Sequence, residues 1–346
     1  MIAILNTDRF RVRLPVSRTT RVLVGLTATL LLALAWAAAS GALGISPWEV
    51  LRGQADPLSI QVWWQLRLPR LLLGVAVGAM LAGSGAAMQG LFRNPLADPT
   101  LLGLASGAGL FVALWIVFFQ DSGAGSLYGQ FAAGFLGALC VCLIVFGIAK
   151  RQGGGSAAVM TLLLAGLAIN TLAGAGGGVL AFIASDEQLR QLSLWGMGTL
   201  TNALWRTTAL ALVLIAAALW LLMRSARELD LLQLGEATAH AAGLDASRLK
   251  RRVVVATSLG VGLCVALTGV IGFLGLLVPH CLRLWLGPSH RLLLPASMLG
   301  GALLLVVADT LARTIAAPAE IPVGLLTSLL GGPYFLYLLM RRNRAC

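Results

Sequence analysis

The residue types that most often do chemistry are sparse in this chain, and their spacing builds no reaction centre. The three histidines, His240, His280 and His290, are scattered, and no H-E-x-x-H pair could hold a zinc ion. There is no G-x-S-x-G nucleophile turn and no G-x-x-x-x-G-K-[ST] loop to cradle ATP phosphates. Cys140, Cys142, Cys264 and Cys281 lie in or at the ends of apolar runs, Cys346 is the last residue, and no C-x-x-C pair occurs. They read as structural thiols. Asp309 and Arg313 stand four apart in an apolar run, where an i,i+4 pair can neutralise itself. Most other apolar runs carry no ionisable group, so proton- or sodium-coupled transport lacks its usual residues.

The elements that hold these residues are dictated by composition. Of 346 residues, 58% are hydrophobic and 11% charged. The mean hydropathy is +0.90. Soluble domains carry about 25% charged residues, so lipid must be the solvent and the fold an all-α polytopic membrane protein. About 20 apolar residues cross a bilayer, and about ten such segments occur: 22–42, 68–90, 100–119, 129–149, 157–183, 205–223, 253–269, 271–286, 291–312 and 322–340. Only Thr268–Gly272 separates the seventh from the eighth, so a tight turn or broken helix is expected there. The first segment follows Arg9, Arg11, Arg13, Arg18 and Arg21 and exceeds the length of a signal-peptide core, so a retained helix is expected. The small-residue pairs Gly74/Gly78, Gly103/Gly107 and Gly174/Gly178 predict close helix packing.

The net charge of +12 lies between the apolar runs, so it reports topology and not nucleic-acid binding. With the N-terminus inside, nineteen of the 25 Lys and Arg residues fall on the cytoplasmic side and six outside. Both termini are then cytoplasmic. The whole chain, 1–346, reads as one transmembrane domain with a cytoplasmic segment over 1–21 and a long inner loop over 224–252. Trp48, Trp63 and Trp64 suit an interfacial belt, and Ser185–Thr201 a surface helix or loop.

The inner loop has structure written into it. Leu229–Leu234 is amphipathic, Gly235 interrupts it, Glu236–Ala242 forms a second short helix, and Gly243 caps that helix. Leu231, Leu232 and Leu234 require an apolar surface, supplied either by a partner ATPase or by the chain's own helix ends. Glu236 is available to a basic residue on such a partner. Asn170 lies mid-span, where it can hydrogen-bond between helices or line a pathway. Met160, Trp195 and Met197 could meet a large apolar ligand or pack generically.

Three stretches carry a family resemblance: LRLPRLLLGVAVGAMLAGSGAAMQGLFRNPLADPTLLGLASGAG (66–109), GVIGFLGLLVPHCLRLWLGPSHRLLLP (269–295) and ADTLARTIAAPAEIPVGLLTSLLGGPYF (308–335). They resemble the permease subunits of iron-chelate, haem and cobalamin ABC importers, and LLQLGEATAHAAGLD (231–245) resembles that family's coupling segment. The wording at 185–200, 308–320 and 325–341 is most similar to haem permeases; ferric-siderophore and, less so, cobalamin permeases are the alternatives. The resemblance implies a cobalamin-importer-type fold in the bacterial inner membrane. It implies a homodimer pathway, two ATP-binding cassette subunits carrying ATP and Mg, and a periplasmic substrate-binding protein. The chain itself would be non-catalytic and bind no cofactor, with haem as cargo. Coupling to the ATPase is implied for Leu231, Leu234, Gly235, Glu236, Ala237, His240, Gly243 and Leu244. Docking of the binding protein is implied for Arg67, Arg70 and Arg313, which could otherwise anchor lipid headgroups. Asn170, Met160, Arg190, Trp195 and Met197 are pathway candidates. His280, in the general Val-Pro-His stretch, is expected to be structural. An ion-coupled secondary transporter is the reading from a different class.

Overall fold

The computed structural model describes residues 16–41, 44–119, 126–151 and 156–342, and among these every regular element is helical. In order they are α1 (Val16–Ala39), α2 (Pro47–Leu51), α3 (Pro57–Val62), α4 (Leu68–Leu91), α5 (Leu104–Phe119), α6 (Ser126–Arg151), α7 (Ser156–Ile183) and α8 (Asp186–Gly196). There follow α9 (Trp205–Arg224), α10 (Ala226–Gln233), α11 (Glu236–Ala241), α12 (Ala246–Thr268), α13 (Leu274–Leu286), α14 (His290–Ile315) and α15 (Val323–Arg342). A helix occupies most of each of the ten expected segments. Among the described residues seven helices are long and apolar enough to cross a membrane, and Leu104–Phe119, Leu274–Leu286 and Val323–Tyr337 are shorter apolar helices.

The central helix is α4. A π-helical stretch, Trp63–Arg67, joins α3 to it, and Pro69, which has no N–H to give to the preceding turn, stands just past that junction. Lipid tails are as apolar as leucine, so helices in a bilayer associate through close packing. The Gly and Ala content of α4 allows that. A Cβ on Gly78 would fall onto the Gly301 carbonyl of α14, and one on Gly85 onto Gly275 of α13. Gly107 of α5 lies similarly close to Gly137 of α6. The Gly174/Gly178 pair does not follow: a Cβ on either would meet no neighbouring segment within 4 Å, so α7 turns these glycines to open space.

The break between the seventh and eighth segments is real and sits inside the bundle. After Thr268 the chain runs non-helically through Gly269 (φ +70°) to Phe273 (φ +63°), which begins α13. At 13 residues α13 is about 20 Å long, short of the ~30 Å hydrocarbon layer. Phe273 is a non-glycine residue in the left-handed region, a conformation held only where the surroundings over-determine it. Its carbonyl accepts from Leu276 N and Leu277 N, and a Cβ on Gly331 of α15 would collide with its ring.

One end of the bundle carries α10 and α11; the other carries α2, α3 and α8. The Ser185–Thr201 segment forms α8, with Ser185 and Gln188 closing a capping box. Gln188 Nε2 reaches back to the Ile116 and Val117 carbonyls at the end of α5. Trp48 and Trp64 are exposed at this end as an interfacial belt requires, but Trp63 is buried.

Candidate functional site

At the α10–α11 end the leucines divide by helical phase. Leu229 and Leu232 are buried in the chain's own core, whereas Leu234 is 66% and Leu231 37% exposed. Gly235 (φ +106°) makes the joint, and Gly243 (φ +82°) ends α11, with Leu244 N donating to Ala239 O at 3.0 Å. Leu231, Leu234, Ala237, His240 and Gly243 form the exposed tip, and Leu244 is partly buried.

The tip is fastened to two long helices. Asp230 accepts from His290 N (2.5 Å) and Ser289 Oγ (3.1 Å), and Gln233 Nε2 lies 2.7 Å from His290 Nδ1. Burial alone would raise the Asp230 carboxyl, but its hydrogen bonds to His290 and Ser289 outweigh this and hold it below the usual carboxylate value. Glu228 pairs with Arg252 at 2.9 Å. Glu236 pairs with Lys250 at 2.7 Å, so the carboxylate expected to await a partner's cation already has one within the chain. Sequence alone missed Lys250 because the turn at Gly243 brings α12 back beside α11.

The opposite end gathers the three arginines but gives each guanidinium work inside the chain. Arg67 Nη1 donates to Ala38 O (3.0 Å) and Ala39 O (3.3 Å), and Arg313 donates to Ala37 O. Together they cap the last carbonyls of α1, where positive charge suits the helix dipole. Arg70 grips Asp309 through Nε (3.0 Å) and Nη2 (2.8 Å), and Glu320 through Nη1 (2.9 Å). Asp309 therefore answers chiefly to Arg70; Arg313 stays 3.9 Å away, so the expected i,i+4 pair is the weaker contact.

Between the ends, a cavity of about 620 Å³ brings together Asn170 of α7 and Trp195 of α8 with Asp98, Ser106, Phe273 and Phe335. Asn170 Oδ1 accepts from Ser106 Oγ at 2.7 Å, so the inter-helix bond and the lining role coexist. Gly174 also lines it, which accounts for the open face of α7. Two pathway candidates stand elsewhere. Met197 is the half-exposed C-cap of α8, and Arg190 is exposed and paired with Glu187 at 3.3 Å. Met160 lies on α7 with its side chain outside the described residues. His280 packs edge-on to Tyr334, with ring centroids 6.4 Å apart, and is not a lining residue.

Sequence reasoning missed Asp98 and Phe273. Asp98 Oδ1 caps the short 3-10 turn Pro99–Leu102, accepting from Thr100 N at 2.8 Å. An Asp-Pro-Thr run is a turn-starting signal that could have flagged it. The placement of Phe273 has no local signal beyond the preceding glycine. Among the described residues no group of three or more His, Cys, Asp or Glu lies together to hold a metal ion.

The profile of the FecCD transport family matches residues 27–341. The hemin transport system permease protein HmuU of Yersinia pestis is 49% identical over 325 residues, covering 93% of this chain and 96% of that protein. The cobalamin import system permease protein BtuC of Halobacterium salinarum is 43% identical over 280 residues, covering 80% of this chain and 73% of that one. A solved chain described as an inward-facing metal-chelate type ABC transporter superimposes with a TM-score of 0.83 at 33% identity, covering 93% of this chain and 99% of the other.

Proposed function

Because this chain belongs to the FecCD transport family and is a multi-pass, non-catalytic permease of an ABC importer, we propose that it carries haem from periplasm to cytoplasm. The observation that carries the substrate is the 49% identity, over nearly the full length of both chains, to a hemin permease. The cavity supports it: Trp195, Phe273 and Phe335 offer aromatic surface to a flat apolar ligand. Cobalamin is the second reading, favoured by the 43% identity to a cobalamin permease.

In this proposal two copies enclose the pathway, with the cavity and the open face of α7 turned to the partner copy. The α10–α11 end faces the cytoplasm, as the nineteen-to-six charge bias requires, and both termini lie on that side. Two ATP-binding cassette subunits, which hold ATP and Mg, press on the tip formed by Leu231, Leu234, Ala237 and His240. The force enters α14 through Asp230 and His290, and α12 through Glu228–Arg252 and Glu236–Lys250. Helix α12 leads directly into the 269–273 stretch, and Val270, Gly272 and Phe273 wall the cavity. A periplasmic binding protein delivers cargo at the α8 end. Since Arg67 and Arg313 are turned inward, its carboxylates meet this end at Arg70.

Transport by the complete importer in liposomes tests the substrate. Labelled haem should accumulate, and excess unlabelled haem should compete where cyanocobalamin and a ferric siderophore do not. Accumulation of cobalamin in preference to haem would replace the first reading with the second.

A further inference from the structure

We infer that Glu320 is a positioning residue that competes with an incoming partner for Arg70. The inference rests on the reading that an acidic protein surface docks at the α8 end. Arg67 and Arg313 are each 6% exposed and hold the end of α1, so a partner reaches neither without uncapping that helix. Arg70 commits Nε and Nη2 to Asp309, whose side chain is 5% exposed. Its remaining edge, Nη1, is held by Glu320, whose side chain is 38% exposed. The Arg70 side chain is itself 12% exposed, so the cluster meets solvent chiefly through Glu320, which occupies the position a partner's carboxylate would take.

Exchange at that position is cheap. One carboxylate replaces another on the same guanidinium, and the charge count at Arg70 is unchanged. Displacing Asp309 would instead strand a buried charge. Glu320 is also tied to what lies beneath it. It accepts from Thr201 Oγ1 at 3.2 Å, and the strap that carries it, residues 316–322 between α14 and α15, is pinned by Ile321 N to Ala312 O (3.0 Å) and, at the start of α15, by Gly324 N to Gly198 O (3.2 Å). A Cβ on Gly324 would strike the carbonyls of Met197 and Val270, so the strap rests directly on the stretch leading to Phe273. Thr201, Thr268 and Glu320 share the wall of a second cavity of about 340 Å³ at this end. A partner that takes Arg70 releases Glu320, and with it the strap that covers the cavity wall.

The test measures affinity of the importer's own periplasmic binding protein, fluorescently labelled, for the permease–ATPase complex in nanodiscs. Glu320→Gln keeps an acceptor for Thr201 but gives up the negative charge that holds Arg70, so its claim on Nη1 weakens. Docking should tighten roughly two- to fivefold, the range expected for losing one partly exposed ion pair, and Arg70→Lys should weaken it. A residue that only braced the loop would weaken docking or leave it unchanged when substituted, and either result overturns the inference. Hydrogen exchange on the wild-type complex gives an independent readout. Docking should speed exchange at the amides of Ile321 and Gly324; unchanged or slowed exchange at both overturns the inference. Absence of any docking by the wild type, even at low salt, overturns the importer reading as well, and so is distinct from an unaltered affinity in the Gln variant.

Discussion

Truncating the exposed leucines at the end of α10, Leu231 and the C-cap Leu234, should detach the ATPase without unfolding the permease. Full burial of a leucine side chain is worth about 2 kcal/mol. Leu234 has 66% of its surface left to bury and Leu231 37%. Covering both would stabilise the complex by roughly 2 kcal/mol, about 30-fold in Kd. Alanine keeps part of that contact, so Leu231→Ala with Leu234→Ala should weaken ATPase binding roughly 10- to 30-fold. Neither side chain packs in the core, so the thermal stability of the isolated permease should hold. Leu232, one position away and 1% exposed, is the control. Leu232→Ala should cost about 2–5 kcal/mol of fold stability. The assay is titration of purified ATPase onto permease in nanodiscs, paired with thermal unfolding of each variant. ATPase affinity within twofold of wild type in the double variant would refute the reasoning, because the exposed tip would then touch no partner.

Lengthening the joint at Gly235 by two residues should leave ATP hydrolysis running without cargo movement, measured as the ratio of phosphate released to haem transported. Arg70→Ala should leave the buried Asp309 with only its looser contact to Arg313 at 3.9 Å and lower the thermal midpoint, at a cost of about 3 kcal/mol. Gly78→Val should abolish folded yield, because its side chain would meet the Gly301 backbone, whereas Gly174→Ala should change stability by less than about 0.5 kcal/mol. Single cysteines at Asp186 and Ala237 should label from opposite faces of the membrane, the first from the periplasm.

Helix number was legible because lipid imposes it: any run long enough to cross must satisfy its own backbone, and α1, α4, α9 and α14 fall where their apolar runs lie. The start of α13 was not, since Phe273 packs against Gly331 of α15, 58 positions on, and no local pattern encodes that neighbour. The arginines were legible as a group but not in their pairing. Arg70 finds Asp309 239 positions away and Arg313 finds Ala37 across 276, and no local pattern encodes such partners. The leucines of α10 were half legible. Periodicity shows that one face is covered, but only packing shows that Leu229 and Leu232 face inward while Leu231 and Leu234 stay exposed. Gly174 and Gly178 misled for a related reason: small-residue spacing signals close approach without saying whether the neighbour is in the same chain.

The central claim is that ATP hydrolysed by a partner drives cargo through this chain. Its most direct test is uptake of labelled haem into liposomes holding the permease with or without its ATPase, with binding protein outside and ATP enclosed. Accumulation should require both ATP and the ATPase, and should be absent when the permease alone is given a proton or sodium gradient. Concentrative uptake by the permease alone under either gradient would contradict the account.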